Sequence, residues 1–164
     1  MLSLQAWLYF CAVIMVVESM DLQKHHENIQ SVIYSIDHGT ALEIDLRAYS
    51  FDESQSLTLW TSPFYHKWFP ATIKLLIWVA NETTNVHSHH YYGSVHVLYG
   101  NLQQCIYHPV QGDTPQCKLQ SCYYPSSVSW NSSVFIHSLR SVYGAASLHI
   151  YRTITNEETE FYVV

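Results

Sequence analysis

The sequence predicts an all-β domain: an antiparallel β-sandwich, immunoglobulin-like in architecture only, with at most one short helix. Aromatic residues make up 15% of the 164 residues, and thirteen of them are tyrosines; aromatic and β-branched side chains favour strands. Charged residues make up only 12%, about half of the usual share. Roughly eight or nine short strand-like runs are separated by turn residues, which is typical of a sandwich.

The first nineteen residues have the features of a secretory signal peptide. An apolar run spans 6–17, and Val17 and Ser19 suit the −3 and −1 positions of a cleavage site. This run is shorter than the roughly 20 residues that a membrane-spanning helix needs. We therefore predict a signal peptide at 1–19, a single sandwich domain at 20–164, secretion to the cell exterior or the secretory lumen, and no membrane span in the mature chain.

The amino-terminal part of the domain predicts a hairpin. Residues 20–30 are polar and fit either a flexible arm or a short helix. Residues 31–36 resemble a strand, and a turn follows at Gly39, where glycine permits a positive φ. Residues 41–49 alternate in part between apolar and polar side chains, as a strand with one buried face does.

Further strands are predicted at 57–61, 71–80, 94–99, 133–138, 147–155 and 159–164, and the last two are expected to pair as a hairpin. Periodicity alone also allows a helix at 71–80, but length and β-branched content favour a strand. Trp78 is a candidate core tryptophan, although no cysteine precedes it in the mature chain as the immunoglobulin pattern requires. Residues 105–122 contain two prolines and a glycine and are predicted to be a loop-rich segment.

Three cysteines remain after the signal peptide is removed: Cys105, Cys117 and Cys122. An odd number in an oxidising compartment predicts one intramolecular disulfide and one remaining thiol. The sequence leaves open which two cysteines pair. For the third thiol we favour burial, because a free cysteine packs as a small hydrophobic residue; the alternative is a link to another chain as an oligomer.

Two sequons predict N-glycosylation at Asn81 and Asn131, because each asparagine lies at a turn-like site and neither sequon contains proline. A glycan at Asn81 would require the turn around it to face solvent. We expect at least one of the two sites to be used.

The histidine-rich segment after Asn81 is the sharpest candidate for chemistry. In an extended chain, His87 and His89 lie on the same face, and His96 would stand opposite them if the chain folds back at Gly93. Two or three imidazoles can hold Zn²⁺ or Cu²⁺. Histidine-based sites in β folds also place a glutamate a few residues later, and this chain has none there. We therefore favour a solvated polar loop and keep the metal site as an alternative.

The histidines also suggest a collective pH response. The chain has eleven histidines against seven lysines and arginines. Because an unperturbed histidine titrates near pH 6.5, acidification would move the net charge from negative towards positive. A response to pH along the secretory or endocytic route is therefore a further hypothesis.

Other function classes are disfavoured. The formal net charge is −6 and no basic run occurs, which argues against nucleic acid as a partner. No nucleophile elbow, phosphate-binding loop or dinucleotide fingerprint is present. We therefore predict no enzymatic activity and no cofactor.

An aromatic segment between two prolines is the best candidate for an interaction surface. Aromatic side chains with a cation are typical of protein interface cores, and the segment contains Phe64, Tyr65, His66, Lys67 and Trp68. The alternative role of some of these rings is to close one end of the sandwich.

The composition as a whole is similar to that of small secreted glycoproteins of viruses, including accessory and attachment proteins. This resemblance implies a secreted, glycosylated binding module for a host or cell-surface protein, and this is the leading hypothesis. The alternatives are a subunit of a larger glycoprotein assembly, joined through the remaining cysteine or a strand edge, and a metal-binding domain built on His87, His89 and His96.

Overall fold

The computed structural model describes residues 20–65, 69–89, 92–110, 113–131, 136–152 and 160–162. The chain divides into two compact units, Met1–Glu53 and Ser54–Val164. The first is built around helix α1 (Leu22–His38) and the second is a sheet of eight strands. In the part of the chain that the structure describes, no helix is both long and apolar enough to cross a membrane.

Helix α1 begins and ends at well-defined caps. The side chain of Asp21 accepts a hydrogen bond from the backbone N–H of Lys24 at 3.1 Å, which satisfies one of the free donors of the first turn. At the other end Gly39 adopts a left-handed conformation (φ 65°) and its N–H donates to the Ser35 carbonyl. This cap uses the freedom of glycine at positive φ.

The buried face of α1 is mostly polar. It consists of Asn28, Val32 and Ser35, at the spacing of one helical stripe. The Asn28 amide donates to the Asp45 carbonyl at 3.0 Å and accepts from the Asp45 N–H at 2.7 Å. Hydrogen bonds, more than apolar burial, therefore hold the helix against the segment that follows it.

The predicted hairpin at 31–49 is wrong. Residues 31–36 belong to α1, and 41–49 contain only a 3-10 helix (Leu46–Ala48) and an isolated bridge between Met20 and Tyr49. Two of the three buried positions of α1, Asn28 and Ser35, are polar, which weakens the apolar stripe that is the main sequence signal for a helix. Of the two forms considered for 20–30, the helix is the one that forms.

The second unit confirms the all-β prediction. Its strands are β1 (Gln55–Tyr65), β2 (Phe69–Trp78), β3 (Val86–Ser88), β4 (Gly93–Val110), β5 (Asp113–Tyr123), β6 (Val128–Asn131), β7 (Ile136–Tyr151) and β8 (Glu160–Tyr162). All pairs are antiparallel, in the order β1-β2-β7-β3-β8, while β4 pairs with β5, β6 and β7. The antiparallel sandwich with one helix is therefore the observed fold class.

Two expected features of the strands are wrong. Residues 105–122 are not a loop but most of the β4–β5 ribbon. The carboxyl-terminal strand β8 pairs with β3 and not with β7, so the predicted terminal hairpin does not form. Both errors concern pairing and context, which local propensity does not determine.

The long strands β4 and β7 form the centre of the unit. Their register shifts on either side of Gly100, which has φ 71°, and an added Cβ there would collide with the carbonyl of Gly144. Glycine is required by both the conformation and the close approach. Beside this bulge lies the core cluster, which comprises Trp78, Val95, Val97, Leu102, Leu139 and Ala145.

Candidate metal centre

Three histidines meet where β3 pairs with β7. The register sets His87 directly opposite His137, and side chains at opposed positions of an antiparallel pair stand about 4.5–5.5 Å apart at Cβ. His89 follows two residues after His87 and so returns to the same side of the extended chain. Strand pairing brings together residues that are far apart in sequence.

The three imidazoles converge on one small volume. One ring nitrogen from each lies within 4.8 Å of the others, and the Nε2 atoms of His89 and His137 are 3.4 Å apart. The ring centroids of His87 lie 4.7 Å from His89 and 4.6 Å from His137. Two ligands of a tetrahedral ion bound at zinc–nitrogen distances are separated by about 3.3 Å, which matches the closest pair.

All three imidazoles are buried, and for two of them burial favours the neutral form. Their exposed fractions are 9% for His87, 8% for His89 and 1% for His137. Burial, together with the neighbouring His87, His89 and His149, lowers the pKa of His137 to about 2. Burial also lowers the pKa of His87 below its usual value. Because metal binds the neutral imidazole, burial favours the charge state of His87 and His137 that metal binding requires.

A contact at the second ring nitrogen, Nδ1, holds the rings of His87 and His137. Nδ1 of His87 lies 2.7 Å from the carbonyl oxygen of Asn85, and a carbonyl can only accept, so Nδ1 carries the proton and Nε2 presents a lone pair. Nδ1 of His137 lies 2.8 Å from the amide nitrogen of Gln104. The contact of His87 with a carbonyl oxygen is of the kind that orients histidine ligands in metal sites.

The donor set fits a borderline transition metal. Among the described residues, the potential ligand group contains three imidazoles and no carboxylate or thiol. Imidazole suits zinc, copper, iron and nickel, whereas magnesium and calcium prefer oxygen. Glu82, the acid nearest in sequence, instead accepts hydrogen bonds from Ser54 and from the Val79 N–H.

A chain of buried hydrogen bonds lies beside the triad. The indole of Trp78 donates to Ser147 Oγ at 2.8 Å, Ser147 Oγ lies 2.9 Å from His149 Nε2, and His149 Nδ1 lies 2.9 Å from the Tyr151 hydroxyl. The ring of Tyr151 is 5.7 Å from that of His89. Burial lowers the pKa of His149 to about 3, and the charges of nearby His89, His87, His96 and Lys74 add to the effect.

The structure brings together two of the three predicted metal ligands. His96 lies outside the group: it is opposite Leu148 on β7, whereas its neighbour Val95 is opposite His149. Because side chains alternate along a strand, His96 and His149 emerge on opposite faces. The His96 ring lies 3.0 Å from Ser94 Oγ instead, and burial lowers its pKa.

The third member, His137, was not predicted. It follows His89 by 48 residues and lies in a segment whose sequence indicates a strand and nothing more. The favoured interpretation of 86–90 as a solvated loop is wrong for His87 and His89, which are buried. The burial of these two residues depends on pairing with β7, which the local sequence does not reveal.

The cysteines resolve into one disulfide and one thiol. Cys105 and Cys117 are bonded, with Cα atoms 5.7 Å apart, across the β4–β5 ribbon. Cys122 is free and exposed. The expected count of one bridge and one thiol is therefore observed within the described residues, and the thiol is not buried.

The sequons remain predictions. Asn81 is exposed at a turn with φ 63°, and its side-chain oxygen lies 3.5 Å from Arg140. Asn131 ends β6. The backbone position of Asn81 is compatible with modification, but neither observation tests it.

The aromatic segment is described only in part. Phe64 and Tyr65 end β1, where Tyr65 stands opposite Phe69 on β2. His66, Lys67 and Trp68 lie outside the described residues, as does the predicted signal peptide at 1–19. A contact through this segment and secretion of the chain are therefore not tested.

No protein-family model matches this chain, and no curated protein matches its sequence. Solved structures do match. A cupin superfamily protein from Desulfitobacterium hafniense DCB-2 is 14% identical, with 63% of this chain and 80% of that chain covered at a TM-score of 0.50. A variant of the oxalate decarboxylase OxdC from Bacillus subtilis is 13% identical, with 67% of this chain and 28% of that chain covered at a TM-score of 0.54.

These likenesses show that the β unit has a cupin-type fold, and at such identities they show the fold alone. The match spans less than a third of the oxalate decarboxylase chain. The fold class that the sequence predicted, an antiparallel all-β sandwich, fits this neighbourhood, although the immunoglobulin comparison does not describe it.

Two functional predictions are corrected here. The leading hypothesis of a secreted, virus-like glycoprotein acting as a binding module is wrong: the neighbours are cupins, and the strand pairing builds a buried histidine triad. The prediction of no enzymatic activity, which rested on the absence of catalytic motifs, is also overturned, because proteins with this fold include a decarboxylase. The alternative based on histidine ligands agrees better with the structure.

Proposed function

We propose that the β unit is a metal-binding domain that holds one transition-metal ion through His87, His89 and His137. The observation that carries this proposal is the convergence of three buried imidazoles whose ring nitrogens lie within 4.8 Å of one another. Three imidazoles whose ring nitrogens converge in this way match the ligand set of a transition-metal site.

Three protein ligands leave a coordination position open, as in catalytic metal sites rather than structural ones. When bound, the ion supplies Lewis acidity and lowers the pKa of a water molecule in that position. Because all three ligands are neutral, the site keeps the full charge of the ion. The class of ligand that this favours is a small anion, such as a carboxylate.

The chain's own residues do three things in such a site. The Asn85 carbonyl keeps the proton of His87 on Nδ1 and leaves Nε2 for the ion. The burial of His137 would keep bulk water from its side of the site, which would strengthen electrostatic interactions there. The hydrogen bond between His149 and the Tyr151 hydroxyl holds the ring of Tyr151 beside His89.

The test is direct measurement of metal binding on tag-free protein. After removal of metal by dialysis against a chelator, titration with zinc and with cobalt is followed by calorimetry and by the cobalt visible spectrum. We expect about one equivalent, with a spectrum typical of nitrogen ligands in fewer than six positions. A stoichiometry near zero for both ions would overturn the proposal.

A matched pair of variants locates the site. His87→Gln removes a ligand from the triad. His96→Gln removes a half-buried imidazole on β4 that lies outside the triad. We expect His87→Gln to abolish the cobalt spectrum and His96→Gln to leave it unchanged. Equal loss in both variants, with melting temperatures unchanged, would place the ion elsewhere.

A further inference from the structure

Gln104 occupies an unusual position for an amide. It lies on β4 with an exposed fraction of 0%. The register sets Gln104 opposite Leu139 and Ile106 opposite His137, so Gln104 and His137 are diagonal neighbours on one face of the sheet. Its amide nitrogen reaches His137 Nδ1 at 2.8 Å. A fully buried amide that contacts a ligand ring points to a specific role.

The hydrogen bond fixes where the proton of His137 lies. An amide nitrogen only donates, so Nδ1 of His137 is the acceptor and the ring carries its proton on Nε2. That atom lies 3.4 Å from Nε2 of His89. Without metal, His137 Nε2–H and His89 Nε2 therefore form a weak donor–acceptor pair. His87 differs, because its Nε2 already carries a lone pair.

We propose that Gln104 is the positioning residue of the triad: its buried amide sets the tautomer and orientation of His137, and reversal of the amide converts His137 from a hydrogen-bond donor into a metal ligand. This inference rests on the proposed function. A ligand Nε2 must give up its proton, and a neutral ring then carries one on Nδ1. Rotation of the Gln104 amide places Oε1 where Nε2 stood, and the oxygen accepts from Nδ1–H.

The two ends of the amide have nearly the same size, so the reversal does not change the volume of the side chain. Each of the two states has its His137 Nδ1 paired with Gln104, and the net charge of the ring is the same in both. A side chain that cannot hydrogen-bond would leave Nδ1 buried without this partner, and an unmet buried polar group is costly. Glutamate retains the accepting oxygen.

The experiment compares Gln104→Met, Gln104→Glu and the matched control Gln103→Met, which removes the same chemical group from the adjacent, partly exposed position on β4. Zinc affinity is measured by competition with a chelator. We expect Gln104→Met to weaken zinc binding by about 10–100-fold, the usual effect of removing such a contact. Gln104→Glu should restore binding to near the wild-type value, and Gln103→Met should not alter it.

The tautomer of His137 is read from long-range proton–nitrogen NMR spectra. We expect Nε2–H in the metal-free wild type, Nδ1–H in the zinc-loaded wild type, and a mixture in metal-free Gln104→Met. Equal affinities in the wild type and Gln104→Met, equal losses in Gln104→Met and Gln104→Glu, or the same metal-free spectra in the wild type and Gln104→Met would each overturn the role of Gln104.

The metal-free spectra separate this inference from the proposed function. If the wild type binds neither zinc nor cobalt, the metal-binding proposal fails, and the reversal proposed for Gln104 fails with it. Its control of the His137 tautomer is then still decided by the wild-type and Gln104→Met spectra.

Discussion

The β unit buries the histidine triad and a separate histidine, His149. The two differ in where their ring nitrogens point. In the triad, nitrogens of His87, His89 and His137 face one another. His149 has an exposed fraction of 3%, but its two ring nitrogens lie 2.9 Å from Ser147 and from Tyr151. Both nitrogens of His149 are occupied by hydrogen-bond partners, whereas the triad directs nitrogens at a common point.

This difference shows that burial alone does not identify a ligand. Burial lowers the pKa of His137 and of His149 alike, so both are neutral at physiological pH. What separates them is the second partner of each ring. We therefore expect the same substitution to have different effects at His137 and at His149.

The largest expected effect is on metal affinity. His137→Gln should weaken zinc binding by more than about 100-fold, beyond the usual effect of losing a supporting contact, because a ligand is lost. His149→Gln should change it by less than about tenfold, since glutamine can replace the hydrogen bonds to Ser147 and Tyr151. Competition with a chelator measures the zinc affinity of both variants. Similar losses would show that His137 and His149 contribute alike to zinc binding.

The next effect is on stability. A ligand that binds only the folded state at a hundred times its dissociation constant raises the free energy of unfolding by about 2.7 kcal/mol. We expect zinc to raise the melting temperature of the wild type and of His149→Gln but not of His137→Gln. A rise in His137→Gln would indicate zinc bound outside the triad.

A smaller effect is expected for the metal-free protein in acid. The folded pKa of His149 is about 3, against an ordinary value of 6.5. Between these values the unfolded chain binds more protons than the folded one, so stability is full above about pH 6.5 and falls as the pH falls through this window. Each such histidine contributes a slope of up to about 1.4 kcal/mol per pH unit.

His149→Gln should therefore flatten the dependence of unfolding free energy on pH by about that slope between pH 6 and 4. The remaining slope comes from His137 and other groups. Urea unfolding at several pH values, without metal, measures it. The idea that His149 is neutral because it is buried would be abandoned if both proteins gave parallel curves.

The smallest effect concerns the hydrogen-bonded chain itself. Trp78→Phe keeps an aromatic ring in the core but removes the donor to Ser147 Oγ. We expect a loss of about 0.5–1.5 kcal/mol for the hydrogen bond, with additional loss from the smaller ring, and unchanged zinc affinity. A large fall in zinc affinity would show that these hydrogen-bonded residues support the triad more strongly than their contacts indicate.

Sequence reasoning recovered much of the sheet and little of the site. Apolar and β-branched runs predicted the strands at 57–61, 71–80 and 94–99, because local side-chain chemistry specifies an extended, half-buried segment. Spacing placed His87 and His89 on one face, which the structure bears out. The helix was expected only as one alternative at 20–30, and its continuation through 31–38 was missed because Asn28 and Ser35 on its buried face are polar.

What the sequence alone determined is the class of fold, the count of one disulfide and one thiol, and the placement of His87 and His89 on one face of an extended segment. These follow from composition and from a period of two residues, both local properties. Only the tertiary structure decided that His137 joins them, that His96 faces away, and that Gln104 reaches the third ring. Strand register across long loops determines such contacts, and a shift of one residue would turn each of these side chains to the other face.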